Sequence, residues 1–163
     1  MSSRLNVPTI IFLAAFVFTF YCLGASFVEG FVNYRTWGVI GPNEFRQYHQ
    51  ELSPLIVRTM VIPIAIKSVL VITLLWFRPD VFPRWAIWAA VVLEITNWTS
   101  SVTIQIPIQM QLSESGLSLV LLDELIRTDW IRKISSITSA LLFLWLMTRL
   151  LSRASSRDHA FEK

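Results

Sequence analysis

The feature that most restricts this chain is a set of apolar runs as long as a bilayer is thick, separated by short segments dense in charge and aromatic rings. A hydrocarbon layer of ~30 Å needs about 20 apolar residues in helical form. Val7 to Val28 and Leu55 to Phe77 meet that length. A third run begins at Phe82 and stays mostly apolar to Met110, longer than the layer, so its Pro107 end is expected to project or break. Ile134 to Leu151 is short but sufficient. Hydrophobic residues make up 54% of the 163 and charged ones only 15%, which places the chain with membrane proteins rather than soluble globules. The expected fold is an all-α, integral membrane four-helix bundle occupying residues 1–152, with spans at about 7–28, 55–77, 82–110 and 134–151. A structured first outer loop, an amphipathic segment along the outer surface before the fourth span, and a polar tail at 153–163 with no fold of its own complete it.

Arg4 ahead of the first run, and "LGAS" at Leu23 to Ser26, resemble a secretory leader weakly, but the run is long for one. A single cysteine, Cys22, leaves no disulfide framework, Cys metal pair or dithiol couple. The net charge of +3 is dispersed at the ends of apolar segments and forms no stripe for nucleic acid. With both termini cytoplasmic, that side carries Arg4, Arg78, Arg84, Arg149, Arg153, Arg157 and Lys163, against Arg35, Arg46, Arg127, Arg132 and Lys133 outside. This bias is the one cytoplasmic segments show, and predicts a multi-pass protein of the cell membrane.

Helical rise from the inner span ends gives each polar residue a depth. Lys67 is ten residues from Phe77 and Glu94 eleven from Pro83, which puts both near the midplane, where a lone charge costs several kcal/mol. They are expected to pair. Arg58, Glu29 and Arg132 reach one common outer level. In the third span Glu94, Asn97, Trp98, Ser101 and Gln105 fall on one helix face, and such a stripe must turn away from lipid. It either glues the bundle through interhelical hydrogen bonds or lines a polar cavity open to the outer side.

The segment "YRTWGVIGPNEFRQYHQE", Tyr34 to Glu51, is expected to roof that cavity. Tyr34, Trp37, Phe45 and Tyr48 would face the bundle, Arg35, Glu44, Arg46 and Glu51 would stay hydrated, and Gly41-Pro42 would make the turn, with His49 pointing inward. No GxSxG, GxxxxGK or GxGxxG is present, so no cofactor is expected. What remains is acid-base work by carboxyl groups held in an apolar, aromatic-rich site. Glu94 and Asp129 are the expected proton donor and acceptor, with His49 catalytic or simply a hydrogen-bonded loop residue. Trp37, Trp98 and Trp130 would supply flat walls. His49 with Glu29 and Asp129 offers mixed nitrogen and oxygen ligands, but no metal-site spacing supports them, and no metal is expected.

"NYRTWGVIGPNEFRQYH", "VIP" in the second span, "IQIPIQMQL" ending the third and "LIRTDWIRK" opening the fourth resemble a widespread bacterial family of four-helix membrane proteins. The likeness runs from about Asn33 to Leu146. More distantly the layout is similar to anthrone-oxygenase-like membrane proteins, which implies oxidation of polycyclic aromatic substrates without an evident cofactor. By position the resemblance marks Tyr34, Gly41, Phe45, Tyr48, His49, Pro63, Pro107, Thr128, Trp130 and Arg132. The chain departs from the family pattern at Gln109, where a His is usual, at Asp129, where an Asn is usual, and at Lys67, near a usual acid.

Two readings follow. One is a membrane enzyme of isomerase, cyclase, epoxide-opening or oxygenase type acting on a lipophilic small molecule. Glu94, Asp129 and His49 would then be catalytic, and Glu29, Tyr34, Trp37, Tyr48, Arg58, Asn97, Trp98, Ser101, Trp130 and Arg132 would bind the substrate. The other is a non-catalytic lipid or pigment binder or accessory subunit, in which the stripe orders the bundle. A proton-linked transporter using Lys67 and Glu94 would need a homo-oligomer to build a pathway.

Overall fold

In the computed structural model, which describes residues 6–161 and their side chains to residue 153, four long helices form an antiparallel bundle and no strand occurs among the described residues. Helix α1 (Val7–Trp37) starts at Asn6, whose side chain accepts from Thr9 N at 3.0 Å, with Pro8 in its first turn. Residues 38–41 turn the chain, and Pro42, with its fixed φ and no N–H to lose, opens α2 (Pro42–Thr73). A second connection at 74–83 leads into α3, residues 84–115. That helix stops at Gly116, whose φ of +86° lies where side chains are rarely tolerated. Helix α4 (Leu119–Phe161) then runs for 43 residues.

The helices form a ring: α1 packs on α2 and α4, α3 packs on α4 and α2, and the α2–α3 seam is the most thinly packed of the four. At the end carrying the 74–83 connection, the lower end, Phe12 stacks on Phe143 at 5.7 Å and meets the edge of Phe82 at 4.6 Å, within a core of Val71, Leu74, Ile87 and Leu146. The upper core is Tyr34, Trp37, Phe45, Ile108, Leu112, Leu122 and Leu125. Between the two apolar cores lies a buried polar layer drawn from all four helices.

Three helices contain one π-helical turn each: Glu29–Asn33 in α1, Val57–Val61 in α2 and Ser101–Gln105 in α3. Two of them precede a proline by two residues, Pro63 and Pro107. A proline cannot donate to the carbonyl four residues back, and the helix widens there instead of breaking. For Pro63 that carbonyl is Thr59 O, and the hydroxyl of Tyr21 on α1 donates to it at 2.9 Å.

Three expectations change. Tyr34 to Glu51 is not a loop but the ends of α1 and α2, helical except for residues 38–41, because Tyr34, Trp37, Phe45 and His49 carry a buried face at helical spacing through both ends. The segment from Leu117 to Trp130 does not lie along the surface: from Leu119 it is the first part of α4, held upright by Leu122 and Leu125 in the upper core. The same helix continues through the segment expected to be an unfolded tail, to Phe161. Arg4, and the side chains of Arg157, His159 and Lys163, lie outside the described residues.

Candidate functional site

Lys67 and Glu94 meet as their equal depths require, with Nζ 2.9 Å from Oε1 and both side chains buried. Ser68 Oγ donates to Glu94 Oε2 at 2.9 Å, and Trp98 Nε1 donates to Ser68 Oγ at 2.9 Å. Every oxygen of this carboxylate is therefore engaged, as a buried charge requires. Asn97 Nδ2 donates to Ser136 Oγ at 3.0 Å, and Ser135 Oγ to Leu93 O at 2.8 Å, so that α3 and α4 are joined by side-chain hydrogen bonds at this level.

A second ion group sits above. Asp129 is buried between Arg132, whose Nε donates to Oδ1 at 2.9 Å, and Lys133, which pairs with Oδ2. All three are on one stretch of α4 at helical spacings of three and four. Lys133 Nζ also stands 4.9 Å from the Phe31 ring centre. This packing relies on Gly30: a methyl at its Cα would overlap Lys133 Nζ and Asp129 Oδ2. Arg132 Nη2 reaches across to the Tyr34 hydroxyl at 3.1 Å, which also accepts from Gln109 Nε2 at 3.0 Å.

Beside this group, Glu29 accepts from Asn33 Nδ2 at 2.6 Å through Oε2, while its Oε1 has no protein partner. Gln105 is in the complementary state: its Oε1 accepts from Ser100 Oγ at 3.1 Å, and its Nε2 has no partner. Both residues are buried, and both line one cavity of about 80 Å³. Tyr34, Gln109, Arg132, Ser101 and Trp98 share its walls with Ile56, Met60, Val61, Ile64 and Ile106. All three π turns contribute lining residues: Glu29 from the first, Met60 and Val61 from the second, Ser101 and Gln105 from the third. Adjoining it, and sharing Ile56, Val61, Ile106 and Gln109, is a more open groove of about 320 Å³ between α2 and α3. His49 and Trp37 line the groove, where His49 Nδ1 lies 2.7 Å from Ser113 Oγ and the Trp37 indole meets the imidazole edge to face at 4.9 Å.

Of the residues singled out from the sequence, Glu29, Tyr34, Trp98, Ser101 and Arg132 come together on the cavity, and Trp37 and His49 on the groove. Glu94, Asp129 and Asn97 are buried but line neither, being committed to Lys67, to Arg132 with Lys133, and to Ser136. Tyr48, Arg58 and Trp130 are exposed and outside both spaces. For Tyr48 the reason is rotational: Phe45 and His49 define the buried line of α2, and Tyr48 falls on its flank. Gln105, Gln109, Asn33 and Lys133 were not counted as site residues. Gln105 carried a signal in the polar stripe, and Gln109 lies one turn beyond it across Pro107. Among the described residues no three His, Cys, Asp or Glu side chains gather around one point as a metal site would require. The chain matches no known family, and no curated protein or solved structure matches it.

Proposed function

We propose that the chain is a four-span membrane protein with both termini cytoplasmic, and that it takes the polar end of a lipophilic small molecule into the cavity for acid-base chemistry centred on Glu29. Three helices, α1, α2 and α4, are long and apolar enough to cross a membrane. The fourth, α3, is as long, and its Glu94, Asn97, Ser100 and Gln105 are buried in the bundle. Val17, Val69, Val92 and Leu141 are exposed around the middle of the ring, a surface that suits hydrocarbon and not water. Trp76, Trp85 and Trp88 are exposed at the lower end, where an interfacial belt would lie, alongside Arg78, Arg84, Arg149 and Arg153.

The observation that carries the functional reading is the pair of buried, unpartnered groups on one small cavity, an acceptor at Glu29 Oε1 and a donor at Gln105 Nε2. An unmade buried hydrogen bond costs about 1–3 kcal/mol, so two facing one space favour a ligand that completes both. Asn33 holds Oε2 and aims the free oxygen, which leaves Oε1 as the atom that takes or returns a proton. Tyr34, fixed by Arg132 and Gln109, offers a second polar contact. The acid-base role passes from Glu94 and Asp129 to Glu29, because ion pairing occupies the first two. A non-catalytic binder is the rival, favoured by the complete pairing of those ion groups, and a homo-oligomer is compatible with either.

Lipid extracts of cells making wild type or Glu29→Gln at matched protein levels, compared by liquid chromatography and mass spectrometry, decide between them. The enzyme reading expects one lipophilic species to fall and another to rise with wild type alone. Profiles identical to those of cells lacking the protein would leave only the binder.

A further inference from the structure

We infer that the occupant of the cavity is a single-chain lipophile with a neutral hydroxyl head, which arrives sideways through the groove between α2 and α3. This rests on the reading of the cavity as a lipophile site.

The head follows from hydrogen-bond bookkeeping. A Glu29 carboxylate oxygen only accepts and a Gln105 amide nitrogen only donates. A hydroxyl gives its proton to the first and accepts from the second, whereas an ether or carbonyl serves only Gln105 and an ammonium only Glu29. Charge argues the same way. Arg132 and Lys133 both pair with Asp129, and with Glu29 beside them the four charges sum to zero, so an ionised head would bury a charge with nothing left to balance it. Size agrees: about 80 Å³ has room for roughly five waters, or for a hydroxyl and the first carbons of a chain, but not for a phosphate headgroup with its substituents.

The route follows from packing. The groove adjoins the cavity, and Leu52, Val57 and Met110 extend its aliphatic walls beyond the residues shared with the cavity. It lies on the seam where the helix ring is most thinly packed. A chain lying there would keep its methylenes against aliphatic side chains while its head reaches Glu29 and Gln105.

The test uses the full chain in phosphatidylcholine nanodiscs and a twelve-carbon primary alcohol bearing a mid-chain diazirine, with adducts mapped by peptide mass spectrometry. Labelling is expected on residues 56–64 and 105–113. Unlabelled 1-dodecanol should displace the probe at about tenfold lower concentration than either dodecyl methyl ether or dodecanoate, as one additional hydrogen bond provides. In Glu29→Leu the alcohol and the ether should compete equally. Should that variant fail to fold, the three competitors on wild type still decide. Equal displacement by all three, or strongest displacement by dodecanoate, overturns the hydroxyl head and leaves a lipophile site standing. Labelling that no competitor saturates, or that falls elsewhere, overturns both the head and the site.

Discussion

Gly30 is the residue on which the upper ion group depends, since Lys133 and Asp129 occupy the space a side chain would need. Gly30→Ala is expected to lower stability in detergent by about 1–3 kcal/mol, the usual cost of overfilling a packed site. Combining it with Lys133→Met, which removes the ammonium that the methyl would meet, should recover part of that loss in a thermal melt. At the lower level of the polar layer, Lys67→Met or Glu94→Gln leaves one buried group without its partner, a loss of about 3–5 kcal/mol in comparable pairs. The double variant should lose less than the two singles together, and strictly additive losses would show that the contact contributes nothing. This pair was legible from residue counting alone because rise along a helix fixes depth. Arg58 was not, because depth says nothing of rotation about the axis: level with the cavity, it points away from it, and nothing in its immediate sequence marks the face it occupies.

At the level of the helix, the π turns are what set the cavity apart, and they were not legible. Apolar periodicity reports a buried face but not a one-residue widening within it; only the prolines at 63 and 107 leave a trace, and the turn at Glu29–Asn33 has none. The charges of Tyr34 to Glu51 read as a loop because hydrated residues dominate the segment, yet they occupy the exposed side of two helix ends whose inner side is aromatic. One contact tests the account of the α2 turn. Tyr21→Phe removes the donor to Thr59 O and should cost about 1 kcal/mol. In a Pro63→Ala background the restored N–H competes for that carbonyl, so the same change should cost measurably less. Equal costs in both backgrounds would show that the tyrosine does not answer the proline.

For the whole molecule, the all-helical architecture was legible in run lengths, and the site was legible only in part, since its walls come from residues far apart in sequence that packing alone brings together. A reporter fused after Lys163 should be active only in the cytoplasm; activity only outside the cell would reverse the proposed orientation. The polar face of α3 has a consequence for how the protein is made. With Glu94, Asn97, Ser100 and Gln105 buried, α3 stands apart from the three helices whose composition alone suffices for a membrane. On the proposed four-span arrangement, α3 leaving the translocation channel singly would carry an uncompensated carboxylate into lipid. Lys67 on α2 is synthesised before it and Ser136 on α4 after it, so α3 has a partner for its charge at once and a partner for its amide only later. A chain truncated at residue 116 should therefore insert but be cleared rapidly by membrane proteases. The same truncation with Lys67→Met should fail to insert α3 at all, which glycosylation sites engineered on either side of that helix would reveal.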